Sequence, residues 1–201
     1  VEVRDGVAST RPIAGTRPRS ADPATDRGLA QELLLSEKER AEHLMLLDLA
    51  RNDLGQVAEI GSVEVDELMV VEDYAQVRHI VSNVRARLAP GRDAIDALFA
   101  LFPGGTITGV PKRRCMEILD ALEPVPRGFY TGALFYVTPG GHLDANILIR
   151  SALVTPGLVT FHTGGGIVAD SDPDFEYQET LHKARGIKLA LEAILARANP
   201  S

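Results

Sequence analysis

Residues 128–165, "GFYTGALFYVTPGGHLDANILIRSALVTPGLVTFHTGG", decide the fold class. β-branched and aromatic residues recur through the stretch, and "TPGG" and "TPG" break it where a chain turns back on itself. It reads as three antiparallel strands joined by Pro-Gly turns. Just beyond it, Asp172 has the form of a helix N-cap and Pro173 of a first helical residue, so a long C-terminal helix is expected to follow. Strands that pair antiparallel and then deliver the chain to a helix belong to the α+β class, with helices lying on a largely antiparallel sheet.

Toward the N-terminus the pattern supports the same class. "PGGTITGVPKRRCMEILDALEP" is a glycine-rich loop followed by a helix from Pro111 that Pro124 ends, and "DAIDALFALF" is an amphipathic helix. "SVEVDELMVVEDYAQVRHIVSNVRARLAP" mixes alternation with β-branched residues and reads as one or two strands, one spanning Val77 to Val84. "SEKE" at Ser36 has the form of a capping box, opening a helix to about Asn52 whose apolar face is Leu44, Leu47 and Ala50. Val1 to Arg11 reads as strand with a turn at "RDG", and "RPIAGTRPRSADPATD" as a loop, because of its prolines and glycine. The sequence shows no internal repeat, no low-complexity linker and no clear domain boundary.

The chain has 201 residues and a formal charge of −7, with acids and bases interspersed, which argues against a nucleic-acid or membrane-surface protein. Cys115 is the lone cysteine, so an internal disulfide and a cysteine-based zinc site are excluded, and a reducing compartment, the cytoplasm, is expected. No apolar run approaches the roughly 18 residues of a membrane span, so a soluble protein is expected. The opening residues alternate like the second half of a strand and carry no initiator methionine, which leads us to expect a chain that starts mid-protein.

Two groups of carboxylates stand out. Glu176, Glu179 and Lys183 fall at i, i+3 and i+7 on the first turns of the C-terminal helix, and Glu39 and Glu42 share the i, i+3 spacing on the earlier helix. Two such pairs facing one another would make a hard, oxygen-rich site suited to Mg²⁺. Each piece also has an ordinary explanation: a capping box for Glu39, the positive helix end for Glu176, an i, i+4 surface pair for Glu179 with Lys183. "HTGGGI" could expose consecutive backbone N–H groups to a carboxylate or phosphate, or be a tight strand-to-helix turn. "PGGTITGVPK" raises the same choice, with Thr106 and Thr108 as hydroxyl donors. His79 is the histidine to examine as an acid or base, against the commoner case of a satisfied core histidine. The histidines form no zinc-ligand pair, and no serine-hydrolase motif is present.

Taken in order and spacing, "PIAGTRPR", "ERAEHLMLLDLARNDLG", "FPGGTITGVPK", "RGFYTGALFYV", "DANILIRSA" and "GGGIVADSDPDFEYQETLHKA" resemble the chorismate-utilising enzymes, the family of anthranilate synthase component I and aminodeoxychorismate synthase component I. The resemblance covers about residues 10 to 190. It implies that Glu42 and Glu179 are Mg²⁺ ligands, with Glu39 and Glu176 contacting the metal through water. It implies that Gly15, Thr16, Thr106, Tyr130, Arg150, Gly164, Gly165, Gly166 and Lys183 hold chorismate, Arg150 and Tyr130 gripping the enolpyruvyl carboxylate. His79, with Thr106, matches the catalytic positions, the histidine assisting departure of the C4 hydroxyl. The implied co-substrate is ammonia from a glutamine amidotransferase partner.

Residues at three places separate the subgroups. Aminodeoxychorismate synthases typically carry a nucleophilic lysine where this chain has Ala14, an alanine typical of anthranilate synthases. "FPGGTITG" and "GGGIVADS" look more like the aminodeoxychorismate enzymes, and several loop positions agree, so that product is expected, with anthranilate as the alternative. Ser20 replaces the usual glycine after "RPR". Family members run to more than twice this length, so residues 1–201 are expected to be the C-terminal portion of a single chorismate-binding domain, within a sandwich of two β-sheets flanked by helices. Such a portion should expose apolar sheet surface, and the isolated piece is expected to be inactive. A non-catalytic remnant that binds a partner or chorismate is the reading from another class, and isochorismate or salicylate synthase a third, disfavoured by "GVPK" and "LARNDLG".

Overall fold

A computed structural model describes residues 1–75, 77–169 and 171–198. By its internal packing the chain forms two compact units. One comprises Val1–Gly105 with Phe135–Asn146, the other Thr106–Leu134 with the chain from Ile147 onward.

The first unit is built on β5 (Val77–Arg87), which is longer than the sequence pattern indicated. One edge of β5 pairs with β4 (Glu64–Asp73). Its other edge is shared: Val84–Arg87 pair with β2 (Val7–Thr10), and Val77–Val81 pair with β3 (Ile13–Pro18). β1 (Glu2–Arg4) lies beyond β2, followed by β7 (Leu143–Ile147) and β6 (Ala133–Val137) at the far edge. The registered pairings among the described residues are antiparallel, as the α+β reading expects. "RDG" makes the β1–β2 turn, with Asp5 and Gly6 both at positive φ.

β3 forms where the flanking prolines point to a loop. Pro12 precedes the strand and Pro18 ends it, where a missing N–H breaks no ladder bond, and the pairing register shifts between Ala14 and Thr16 to accommodate Gly15 at φ +68. The last four residues of the stretch expected to be loop open α1 (Pro23–Leu35), capped by Asp22, which accepts the Thr25 N–H, with Pro23 in the first turn. The Ser20 hydroxyl accepts the Asp22 N–H, and Ser20 gives its own N–H to Asp26.

α2 (Glu37–Gly55) begins at Ser36, whose hydroxyl accepts the Glu39 N–H at 3.3 Å. The Glu39 carboxylate instead accepts from Arg17. Leu44 turns outward; the buried face of α2 is His43, Leu46, Leu47, Ala50 and Leu54. α2 and α3 (Ala94–Leu101) cover the sheet, enclosing Leu54, Val84, Ala97, Leu98 and Leu143. Asp93 caps α3 with a complete capping box.

The second unit holds α5 (Lys112–Leu122), the β8–β9 hairpin (Ala152–Thr155, Leu158–Phe161) and α6 (Pro173–Ala198). α4 (Gly105–Thr108) is a single turn at its start. The expected three-strand meander is thus four strands in two hairpins, because Leu148–Ser151 leave the first sheet and the chain resumes in a separate ribbon. As the sequence led us to expect, apolar sheet residues are uncovered, among them Leu134, Phe135 and Tyr136 of β6 and Val154 of β8. No single helix among the described residues is long and apolar enough to cross a membrane.

Candidate active site

In the first unit the bulge in β3 gathers several of the named residues. Gly15 sits at φ +68, and a β-carbon there would lie 2.7 Å from Leu33 Cδ1 and 3.1 Å from Glu39 Oε2, so glycine answers both the backbone conformation and the close approach of α1 and α2. His79, opposite Thr16 on β5, places Nδ1 3.0 Å from Thr16 Oγ1 and 3.2 Å from the Gly15 carbonyl oxygen. Tyr74 meets the imidazole edge-on, with ring centroids 5.7 Å apart. Glu39 Oε1 lies 3.2 Å from Arg17 Nη1, and Arg17 also donates to Glu32. Glu42, one turn further along α2, is exposed and has no hydrogen bond or ion pair among the described residues. Gly15, Thr16, His79 and Glu39 are therefore neighbours, with Glu42 on the same helix.

In the second unit the glycine segment Gly164–Gly166 is the centre. Lys183 Nζ donates to the Gly164 carbonyl at 3.3 Å and pairs with Glu179 one turn back. A β-carbon at Gly164 would lie 3.1 Å from the Tyr130 hydroxyl, and one at Gly165 would lie 3.3 Å from Glu176 Oε2. Glu176 is steadied by Ser171, whose hydroxyl donates to Oε1 at 2.8 Å, and Asp172 caps α6 by accepting the Phe175 N–H. Arg150, at φ +53, makes a long 3.5 Å contact to the Lys183 carbonyl. Left-handed backbone at a non-glycine residue is disfavoured and clusters at functional sites. Thr106 is exposed in α4, and no side-chain contact among the described residues joins it to this group.

Tyr130 stacks on His162, with centroids 5.6 Å apart, and burial pushes its phenol above the usual tyrosine range. Behind the pair lies a cavity of about 130 Å³ lined by Glu123, Arg127, Tyr130 and His162 with Pro124, Val125 and Thr163. The Arg127 fork grips Glu123 and lowers its pKa, while its other arm donates to Thr131 Oγ1. Sequence reasoning did not single out Arg17, His162, Ser171 or Arg127. For His162 a signal was at hand, since it immediately precedes Thr163 and the three glycines.

The four glutamates offer only oxygen, the donor type that suits a hard divalent cation rather than zinc. Among the described residues no three of these or other His, Cys, Asp or Glu side chains already gather into a metal-sized group. Each unit offers one pair at i, i+3: Glu39 with Glu42 on α2, and Glu176 with Glu179 on α6.

The sequence model of a family described as chorismate binding enzymes matches residues 1–188. An anthranilate synthase component I-like protein of Synechocystis is 54% identical over 194 residues, covering 96% of this chain and 40% of the relative. An aminodeoxychorismate synthase component 1 of Bacillus subtilis is 50% identical over 192 residues, covering 96% of this chain and 41% of the relative. The crystal structure of anthranilate synthase component I from Streptococcus pneumoniae superposes with a TM-score of 0.80 at 41% identity, covering 92% of this chain and 40% of that one. The chain thus spans about 40% of the length of these relatives. With residues 1–188 matched by the family's model, the chain belongs to the chorismate binding enzymes.

Proposed function

We propose that the protein carries the substrate-handling part of a Mg²⁺-dependent chorismate aminase, with 4-amino-4-deoxychorismate as the lead product. The observation that carries this reading is the arrangement of Lys183, Glu179, Glu176 and Tyr130 around Gly164–Gly166, matched by His79 clamped at the β3 bulge beside Glu39. Both groups consist of residues that the sequence motifs single out for this chemistry.

In the proposed reaction chorismate and ammonia give the amino product and water: a C–N bond forms and the C4–O bond breaks. His79 protonates the departing C4 hydroxyl through Nε2, while Nδ1 stays engaged with Gly15 and Thr16. Tyr130 and Arg150 hold the enolpyruvyl carboxylate, Tyr130 as a neutral hydrogen-bond donor, since burial disfavours its ionised form. Thr106 and Thr16 supply hydroxyl contacts to the substrate. Glu42 and Glu179 would hold Mg²⁺, with Glu39 and Glu176 one water away. The metal would supply positive charge for the ring carboxylate and for the negative charge that shifts as the hydroxyl leaves. Lys183 balances the added carboxylates. Ammonia comes from a glutamine amidotransferase partner.

Ala14 favours anthranilate as a second reading. It is 6% exposed and packs into the sheet opposite Ile80, so no nucleophile stands at the position where a lysine would act. The glycine-rich loops favour the lead product. The test is a product assay on the complete polypeptide with chorismate, Mg²⁺ and ammonium, following anthranilate fluorescence directly and p-aminobenzoate after a lyase is added. p-Aminobenzoate supports the lead reading, anthranilate the second, and neither product removes both.

A further inference from the structure

We infer that His43 is a positioning residue that sets the roll of α2, and with it the direction of Glu39 and Glu42, through a buried hydrogen bond to Ser82 of β5. The inference rests on the chorismate-aminase reading, in which those glutamates serve the metal.

His43 and Ser82 are both fully buried, and His43 Nε2 lies 2.6 Å from Ser82 Oγ. Ser82 is a junction. Its hydroxyl oxygen also accepts the Met69 N–H at 2.9 Å, where β4 bulges and Met69 is held at φ +51, and its own N–H donates to the carbonyl of Pro12, just ahead of β3. One serine therefore connects α2, β4, β5 and the lead-in to the Gly15–Thr16 bulge.

The donor roles follow from what is left unpaired. His43 Nδ1 has no partner. An orphaned buried N–H is rarer than an under-satisfied acceptor, so the proton belongs on Nε2, donating to Ser82, and the unpaired atom is a lone pair. A leucine at this position would fill the space without carrying an unpaired nitrogen. What the imidazole adds is direction, because a hydrogen bond weakens steeply with misalignment whereas apolar contact does not.

Direction matters here because of spacing. His43 is one residue beyond Glu42 and four beyond Glu39, one turn further along α2. A roll of about 10° moves a group ~6 Å from the helix axis by about 1 Å. Misplacement of that size at a reacting centre can cost about 100-fold in rate.

The test compares His43→Leu, His43→Gln and Ser82→Ala in the complete polypeptide, reading the Mg²⁺ concentration for half-maximal turnover, kcat and Tm. His43→Leu and Ser82→Ala are each expected to need about tenfold more Mg²⁺, the lower range for loss of a supporting contact around a metal site. The double variant should be no worse than the poorer single one. His43→Gln, whose amide nitrogen reaches the place of Nε2, should recover most of the loss, which a purely space-filling role would not predict. If His43→Leu does not fold, Ser82→Ala, a small change in a strand, carries the comparison. Wild-type Mg²⁺ requirement and kcat in the folded variants would overturn the inference alone. Absence of Mg²⁺-dependent turnover in the unmodified protein would instead remove the reading on which it rests.

Discussion

His79 Nδ1 lies 3.2 Å from the Gly15 carbonyl oxygen and 3.0 Å from Thr16 Oγ1. A carbonyl oxygen only accepts, so the proton sits on Nδ1 and the ring presents Nε2 as its free nitrogen. The bulge in β3 thus holds the Nδ1–H and leaves Nε2 as the nitrogen that can meet the substrate; the proposed acid is the ring carrying a second proton there, and the neutral ring left behind keeps its Nδ1–H bond to the bulge. His79→Asn keeps a donor near the Nδ1 position and deletes Nε2. The expected outcome in the complete polypeptide is a fall in kcat of about 10²-fold or more with little change in Tm. Turnover within a factor of two of wild type would dismiss His79 as the acid.

Gly15→Ala should damage both stability and the site. Left-handed backbone costs a residue with a β-carbon roughly 1–2 kcal/mol, and the new methyl would meet Leu33 Cδ1 at 2.7 Å and Glu39 Oε2 at 3.1 Å. Leu33 can move at its tip, so the larger consequence is a displaced Glu39. Thermal melting should show a loss of that order, and the variant should need more Mg²⁺ than wild type.

The same physics explains what the sequence revealed and what it hid. Asp172 before Pro173 was legible as a helix start, and Asp22 before Pro23 carries the same signal, yet α1 was missed because the surrounding prolines and Gly15 drew the stretch into a single loop. Gly15 marks a bulge inside a paired strand, a long-range fact that local composition does not encode. The outward turn of Leu44 had a similar origin: His43, a polar residue, takes the buried place, and its reason is Ser82, 39 residues away. Within the candidate site the glycine segment and the glutamate spacing could be read from sequence. Arg17 on Glu39, Ser171 on Glu176 and the His162 stack on Tyr130 could not, since each depends on how the chain packs.

Asp26 should govern acid stability in the first unit. Its carboxylate accepts from Arg19, from the Ser20 N–H and from Arg78, and Arg19 above all holds its pKa well below the usual carboxylate range. Because the native pKa is depressed, the group's contribution is fully present above the unfolded value of about 4 and is lost as pH falls from there toward the lowered native value. Asp26→Asn removes the charge from beside Arg78, which is 3% exposed. The variant should melt several degrees lower at pH 7, and the gap to wild type should narrow as the pH is taken from about 5 to about 2. A gap that stays constant over that range would rule out Asp26 as the titrating group.

Glu179→Gln separates the proposed chemistry from folding. Its ion pair with Lys183 is an i, i+4 contact with the Glu179 side chain 41% exposed, and such pairs contribute only about 0.3–0.5 kcal/mol. Gln preserves shape and helix propensity, so Tm should move by no more than a degree or two. A neutral amide is a poor Mg²⁺ ligand, and it leaves Lys183 without its partner next to Gly164. Mg²⁺-dependent turnover of chorismate in the complete polypeptide should be abolished, and added Mg²⁺ should not restore it. Glu42→Gln, which breaks no ion pair, should give the same loss with even less effect on melting. Wild-type activity in Glu179→Gln would remove the metal assignment, whereas a collapse of Tm alongside activity would mean that the residue supports α6 rather than the reaction.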